Sequence, residues 1–149
     1  MTTQILNQPD VVSKFVASLI HGCERGFSNA TAIGFARDER LVSGVVYHNW
    51  QPEAGVIELS AASVTRDWLD KSTLNAIFSY PFDQLKCQMC VARISEHNTR
   101  TRRIWRALGA TEYKIPRLRG PSEAEIISTL TRETWKSGRF SKEDANGQA

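Results

Sequence analysis

The segment from Asn98 to Gly109 constrains the fold more than any other part of the chain, because its pattern is that of a helix between two strands. Asn is a favourable helix N-cap, and Gly is favoured just beyond a helix C-terminus. Strand-like runs lie directly before it, at 87–95, and directly after it, at 110–115. A strand that leads into a helix N-terminus forms an anion site, since unpaired backbone N–H groups point outward there. The apolar residues at helical spacing are Thr101, Ile104, Trp105 and Leu108.

Positive charge is concentrated on this helix, although the net charge of the whole chain is only +3. Two further arginines, Arg117 and Arg119, follow shortly after it. Clusters of arginine pair with phosphate groups, but a run of charge can equally be a solvated helix face. The pattern therefore leaves a phosphate site and an ordinary surface both open. The arginines of the helix are Arg100, Arg102, Arg103 and Arg106.

Hydrophobic periodicity predicts a single α/β (α+β) domain over residues 1–136, followed by a polar, frayed tail at 137–149. A meander of antiparallel strands followed by strand-helix-strand implies a mixed, mostly antiparallel central sheet flanked by helices. A break is expected at 22–28 and a loop at 116–121. The predicted elements are helices at 9–20, 68–80 and 98–109, and strands at 31–37, 41–50, 56–64, 87–95 and 111–115. The pattern at 125–135 fits a strand or a helix, and the alternation of Ile127, Thr129 and Thr131 with polar residues favours a strand.

Several classes of protein are disfavoured by the composition. No apolar run approaches the ~18 residues needed to span a membrane, and the N-terminus lacks the blocks of a signal peptide. The odd number of cysteines, Cys23, Cys87 and Cys90, indicates a reducing compartment, so a cytoplasmic location is expected. Residues three apart on a strand point to opposite faces, so the last two are predicted to be separate buried thiols. No cluster has metal-ligand spacing, and no metal site is predicted.

The helix also resembles a motif of the GCN5-related N-acetyltransferases, in which an Asn, a small residue, an aliphatic residue, a Tyr and Leu-Gly-Phe follow at this spacing. The order of elements is similar from Thr31 to Trp135. The resemblance implies an acyl-CoA N-acyltransferase-like fold and transfer of acetyl from acetyl-CoA to a primary amine, by direct attack in a ternary complex. The residues in the motif positions are Asn98, Thr101, Ile104, Trp105, Leu108, Gly109 and Ala110.

The same resemblance implies where acetyl-CoA binds. Strand 56–64 would diverge from strand 87–95 and open a V-shaped cleft, where backbone groups from Ala62 to Val64 hold the pantetheine arm. The family's next turn is Gly-rich and binds the pyrophosphate; here Arg66 and Trp68 replace the glycines, and a guanidinium could contribute instead. The implied cofactor-binding residues are Ala62, Val64, Arg66, Asp67, Trp68, Asn98, Arg103 and Trp105.

Glu58 is the leading candidate for the general base. It lies in an otherwise apolar strand, and an unpaired buried carboxylate is costly, so its side chain should face water, a partner or a site. The resembling family often has a base at this place, and His48 is the second candidate. Trp105 occupies the position of a Tyr that protonates the leaving thiolate, and an indole cannot act as that acid. Substitute donors in the sequence are Tyr80, Tyr113 and His97.

Two other functions remain open at this stage. The missing glycines and the missing Tyr would also suit a catalytically silent domain of this fold that binds a protein. The arginine-rich helix would suit a nucleic-acid-binding module, although few aromatic residues accompany it. The acceptor could be a small amine, a protein or an aminoacyl-RNA, and a homodimer is compatible with the sequence.

Overall fold

The computed structural model describes residues 2–5, 8–20, 26 and 30–141. Within them a seven-stranded sheet has the order β1-β2-β3-β4-β5-β7-β6, and every neighbouring pair is antiparallel except β4 and β5, which are parallel. This confirms the predicted mixed, mostly antiparallel sheet flanked by helices. The elements are β1 (Thr2–Ile5), α1 (Pro9–Leu19), β2 (Thr31–Arg37), β3 (Arg40–Gln51), β4 (Val56–Ser63), α2 (Lys71–Ser79), a π-helical turn (Tyr80–Gln84), β5 (Met89–Ser95), α3 (Thr99–Leu108), β6 (Thr111–Gly120), β7 (Glu123–Thr131) and α4 (Arg132–Ser137).

The two faces of the sheet bury different helices. On the α1 face, Val12 and Val16 of the helix pack against Ala32 and Val46 of the sheet. On the opposite face, called the α2/α3 face, a larger core is shared with α2, α3 and α4. Side chains alternate along a strand, so every second residue of β4 enters this larger core. Its central members include Phe35, Tyr47, Ile57, Leu59, Phe78, Trp105 and Trp135.

The central feature of the sheet is the separation of its two parallel strands. β4 and β5 pair only at their N-terminal ends, from Val56 opposite Met89 to Glu58 opposite Val91. Beyond this point β4 continues its pairing with β3 as far as Ser63, while β5 continues with β7. Because each strand keeps its outer partner, the two diverge, and a V-shaped gap opens in the middle of the sheet.

Several predicted boundaries were wrong for identifiable reasons. The helix expected at 68–80 begins only at Lys71, because Asp70 caps it, and ends in a π-helical turn. The strand expected at 125–135 stops at Thr131, whose side chain caps α4. The loop expected at 116–121 is largely part of β6, which bulges between Ile115 and Gly120.

The N-terminal strand β1 was not predicted; it pairs with β2 at the edge of the sheet. The expected break at 22–28 lies almost entirely outside the described residues, as does Cys23. Of the predicted tail, residues 142–149 are also outside them, whereas the carbonyl of Phe140 accepts a hydrogen bond from Asn75.

Cys87 and Cys90 are both free and fully buried, as predicted, but they do not lie on opposite faces. Cys87 precedes the strand, so strand alternation does not apply to it, and both thiols lie in the larger core. Burial raises the pKa of both. No helix among the described residues is long and apolar enough to cross a membrane.

Candidate active site in the cleft between β4 and β5

The divergence of β4 and β5 creates a cavity of about 910 Å³ that reaches both faces of the sheet. From the α2/α3 face, side chains of α2 and of the first turns of α3 line it. From the α1 face, the strands contribute a polar and charged lining, and Leu19 and Ile20 line it at the end of α1. Residues from this polar part are His48, Glu58, Ser60, Arg93, Arg119 and Glu125.

One wall of the polar part is formed by a cross-strand pair, His48 on β3 opposite Glu58 on β4. His48 Nε2 lies 2.9 Å from Ser60 Oγ and 3.7 Å from one carboxylate oxygen of Glu58. The other carboxylate oxygen accepts a hydrogen bond from Asn49 Nδ2 at 2.8 Å. Asn49 has a positive φ of 50°, at an irregularity in the β3–β4 pairing that Asn tolerates better than most residues. The two predicted catalytic residues are therefore adjacent.

The surroundings of His48 favour its neutral form. Burial lowers the pKa of His48 below its usual value, the negative charge of Glu58 opposes this, and the positive charge of Arg93 adds to it. A neutral imidazole next to a carboxylate can accept a proton from a group in the cleft. This wall therefore has the chemistry of a general base.

The other wall is an ion-pair network centred on Glu125 of β7. Only 2% of its side chain is exposed, and its two oxygens are each 2.7 Å from a different guanidinium, Arg93 Nε and Arg119 Nη1. Arg119 Nε also lies 3.7 Å from Glu123. A buried carboxylate needs such partners. The sequence pointed to Arg119 only as part of the arginine cluster, and to neither Arg93 nor Glu125. Arg93 nevertheless interrupts an apolar strand in the same way as Glu58 does.

Helix α3 begins at the cleft as predicted. The side chain of Asn98 accepts a hydrogen bond from the N–H of Thr101 at 3.2 Å, and Gly109, with φ of 103°, ends the helix. Arg100 Nη2 donates to the carbonyl of Arg66 at 2.7 Å, which joins the helix to the loop after β4. Both arginines line the cavity, so two guanidinium groups lie at its mouth.

The loop after β4 does not have the form of a phosphate-binding turn. Trp68 is buried and packs against Phe35, with ring centroids 5.8 Å apart. Asp70 accepts a hydrogen bond from the N–H of Thr73 at 2.8 Å, and Thr73 Oγ1 accepts one from the N–H of Asp70. This capping box occupies the start of α2 with a carboxylate of the chain itself. Asp67 is ion-paired with Arg37 at 2.8 Å, which lowers the pKa of Asp67.

Trp105 is 8% exposed and combines packing with a place at the cavity. Its ring meets that of Phe78 edge to face, with centroids 5.8 Å apart. Of the substitute proton donors suggested by the sequence, Tyr80 packs on Tyr47 with centroids 4.9 Å apart. The described residues that line the cavity do not include Tyr80, Tyr113 or His97.

The basic face of α3 is partly neutralised. Arg102 donates two hydrogen bonds to the carboxylate of Glu112, at 3.0 and 3.1 Å, and Arg106 Nε lies 3.6 Å from the same group. The exposed guanidinium of Arg103 has no acidic partner within the described part of the chain. Of the ten predicted site residues, eight line the cavity, whereas Asp67 and Arg103 do not. The described residues hold no group of three or more potential metal ligands.

Comparison with known proteins identifies the fold. No family model and no curated protein sequence matches the chain. The dodecameric structure of spermidine N-acetyltransferase from Vibrio cholerae superposes with a TM-score of 0.72 at 9% identity, over 91% of this chain and 96% of that one. Ribosomal-protein-S5-alanine acetyltransferase from Vibrio fischeri superposes with a TM-score of 0.61 at 14% identity, over 72% of this chain. This chain spans 64% of the length of that protein. The fold of this chain is that of these solved acetyltransferases.

Proposed function

We propose that the protein transfers the acetyl group of acetyl-CoA to a primary amine, by direct attack in a ternary complex. The observation that carries the proposal is the divergence of β4 and β5 after Glu58 and Val91, which opens a cavity of about 910 Å³ through the sheet. Such a cavity admits a thioester from one face and an amine from the other. The similarity in fold to solved acetyltransferases supports the same reaction.

The pantetheine arm fits the edge of β4. Beyond Glu58 the backbone of β4 has no strand partner on its β5 side, so its polar groups there can pair with the amides of pantetheine. Ala62 and Val64 lie along this edge, and Asn98 faces it from the start of α3. Backbone N–H groups in this position would also polarise the thioester carbonyl.

The phosphates of acetyl-CoA need a binding site other than the start of α2, because Asp70 already caps that helix and Trp68 is buried in the core. We assign them to Arg66 and Arg100, which line the mouth of the cavity and are connected by the hydrogen bond described above. Guanidinium groups bind phosphate by paired hydrogen bonds.

The reaction needs a base and a proton donor. The acceptor ammonium loses one proton before its nitrogen attacks the thioester. It loses a second proton as the amide bond forms and the C–S bond breaks. The departing thiolate takes up one proton. Glu58 and its neighbour His48 are the proposed acceptors of the amine protons. No phenol lines the cavity, and the indole of Trp105 is not an acid, so water protonates the thiolate.

Binding of acetyl-CoA is the direct test. At ~100 times its dissociation constant, acetyl-CoA should raise the free energy of unfolding by about 2.7 kcal/mol, measured by thermal shift and confirmed by calorimetry. Arg66→Ala and Arg100→Ala should each weaken binding by about 1.5–3 kcal/mol, whereas Arg40→Ala, at the exposed β2–β3 turn, should not. Release of free thiol with a panel of amines then measures turnover.

The second candidate is a catalytically silent domain that binds a protein partner. It is favoured by the capped start of α2 and by the absence of a tyrosine from the described residues that line the cleft. Absence of any thermal shift or heat at millimolar acetyl-CoA would contradict the enzymatic proposal and favour this one.

A further inference from the structure

The Glu125 network leaves the two Nη groups of Arg93 for a ligand. Glu125 is buried, and its two oxygens are divided between Arg93 and Arg119. Arg119 has a second acidic neighbour in Glu123, whose carboxylate is in turn hydrogen-bonded to Ser95. Arg93 shares a single carboxylate and has no other acidic partner among the described residues.

The position of Arg93 places its charge in the amine part of the cleft. It follows Val91, the last β5 residue paired with β4, by two positions, so its side chain lies on the same face as Glu58. His48 lines the same cavity, and the positive charge of Arg93 contributes to the lowered pKa of His48. About half of the Arg93 side chain is exposed, and it lines the cavity.

The geometry of the guanidinium determines what it can bind. Nε of Arg93 is used in the contact with Glu125, which fixes the plane of the group. Nη1 and Nη2 have no hydrogen-bond partner within residues 30–141 or the other described segments. Two parallel N–H groups of this kind match the two oxygens of a carboxylate or a phosphate. A second cation, by contrast, would be repelled.

We propose that the acceptor is a small primary amine that also carries an oxyanion, a carboxylate or a phosphate, which Arg93 binds while the amine lies beside Glu58 and His48. This rests on the proposed function and names the substrate class of its acceptor site. Glu125 acts as a positioning residue, since it holds the guanidinium in place and does not contact the acceptor. The same guanidinium should favour such an acceptor over a purely cationic polyamine of matched length.

The test compares matched amines that differ only at the far end. Calorimetry, with and without coenzyme A, measures binding of γ-aminobutyrate, its amide and putrescine, together with shorter and longer homologues. Phosphoethanolamine and ethanolamine form the phosphate pair. We expect the wild-type protein to bind one of the oxyanion compounds ~10-fold or more tightly than its neutral counterpart. The tighter of the carboxylate and phosphate series identifies the oxyanion.

Variants assign the preference to Arg93. Arg93→Gln should remove the discrimination, whereas Arg40→Gln, at the exposed β2–β3 turn, should leave it unchanged. If Arg93→Gln does not fold, Arg93→Lys keeps the charge but loses the paired N–H groups, and the preference should fall without disappearing. Equal or tighter binding of the amide and of putrescine by the wild-type protein would overturn the inference, whatever the variants do.

The outcomes separate this inference from the proposed function. Rapid acetylation of putrescine, with no preference for oxyanions, would overturn the acceptor class and leave the acetyltransferase proposal standing. Failure to bind acetyl-CoA would overturn the proposed function, while a calorimetric preference for the oxyanion that depends on Arg93 would still support an anion site there.

Discussion

Glu58 and His48 are adjacent because of strand register, and their surroundings determine what each can do. The hydrogen bond from Asn49 orients one oxygen of Glu58, and the other oxygen is directed towards His48. His48 in turn contacts Ser60. A carboxylate and a neutral imidazole this close can share a proton, so we assign the proposed base to the pair.

Glu58→Gln should lower kcat/KM by ~10²–10⁴, because an amide cannot accept the amine proton. The amide oxygen still accepts the hydrogen bond from Asn49, so the melting temperature should change little. Steady-state kinetics and a thermal melt check both statements. Glu53→Gln, in the exposed turn before β4, is the matched control. An undiminished rate in Glu58→Gln would remove Glu58 from the mechanism.

His48 should make the fold less stable in mild acid. Its pKa is lowered in the folded state, so below the unfolded value of ~6.5 the unfolded chain binds more protons. The contribution of His48 to the free energy of unfolding is therefore complete above pH ~6.5, and it declines as the pH falls towards the pKa of His48 in the folded state. His48→Gln should flatten this slope in urea unfolding between pH 5 and 8, whereas His97→Gln, on an exposed side chain, should keep it. An identical slope in wild type and His48→Gln would contradict the assignment.

Glu125→Gln should destabilise the protein by about 1–3 kcal/mol, since two guanidinium groups lose their charged partner. The cost stays below that of a fully buried pair because both arginines can reach water. Urea unfolding measures it. Glu123→Gln, at a carboxylate whose side chain is 36% exposed, should cost less; a larger loss there would mean that Glu125 does not anchor the network.

At the scale of elements, α2 and α3 begin on either side of the cleft with different caps. α3 is capped by a neutral Asn, whereas α2 is capped by the carboxylate of Asp70 in a complete capping box. A carboxylate at a helix N-terminus repels a phosphate from it. The start of α3 therefore remains the more favourable end for an anionic ligand, and Arg100 reinforces it.

Asn98→Ala should cost about 0.5–2 kcal/mol of stability through loss of the cap on α3. Asn98→Ser restores a capping oxygen and should recover the stability, but it lacks the amide proposed to contact the pantetheine arm. Thermal unfolding combined with acetyl-CoA titration separates the two roles. A Ser variant that regains both stability and affinity would show that Asn98 acts only as a cap.

At the scale of the whole molecule, charge is unevenly distributed although the net value is only +3. Glu112 neutralises much of the outer face of α3, through Arg102 and Arg106. Arg66 and Arg100, at the mouth of the cleft, have no acidic partner among the described residues. The positive field is thus concentrated where a polyanionic ligand would enter.

Affinity for acetyl-CoA should therefore fall as ionic strength rises from ~50 to ~500 mM, because salt screens exposed charges. Calorimetry at several salt concentrations measures the slope, and Arg66→Ala should reduce it. Arg102→Ala, whose guanidinium is already paired, is the control. A slope that is lost in Arg102→Ala and kept in Arg66→Ala would place the electrostatic site on the outer face of α3.

The local pattern of the sequence determined most of the elements and their faces. Periodicity is set by neighbouring residues, so β2 and the helix from Asn98 to Gly109 could be predicted to within a residue or two. It failed where a longer contact decides, because β1 exists only where β2 offers it an edge. It also missed one local signal, since the strand predicted as far as Trp135 ends at Thr131, whose side chain caps α4.

The candidate site likewise has residues that could be predicted from sequence and residues that could not. Glu58 could be recognised from sequence because a carboxylate in an apolar strand is costly to bury unless it has a partner or a function. The Asn98 cap could be recognised because it depends on residues only three positions apart. Only the tertiary structure brings Arg93 and Glu125 together, since their distance depends on the pairing of β5 with β7. The cleft itself results from two parallel strands that keep different outer partners, and no local sequence signal records that separation.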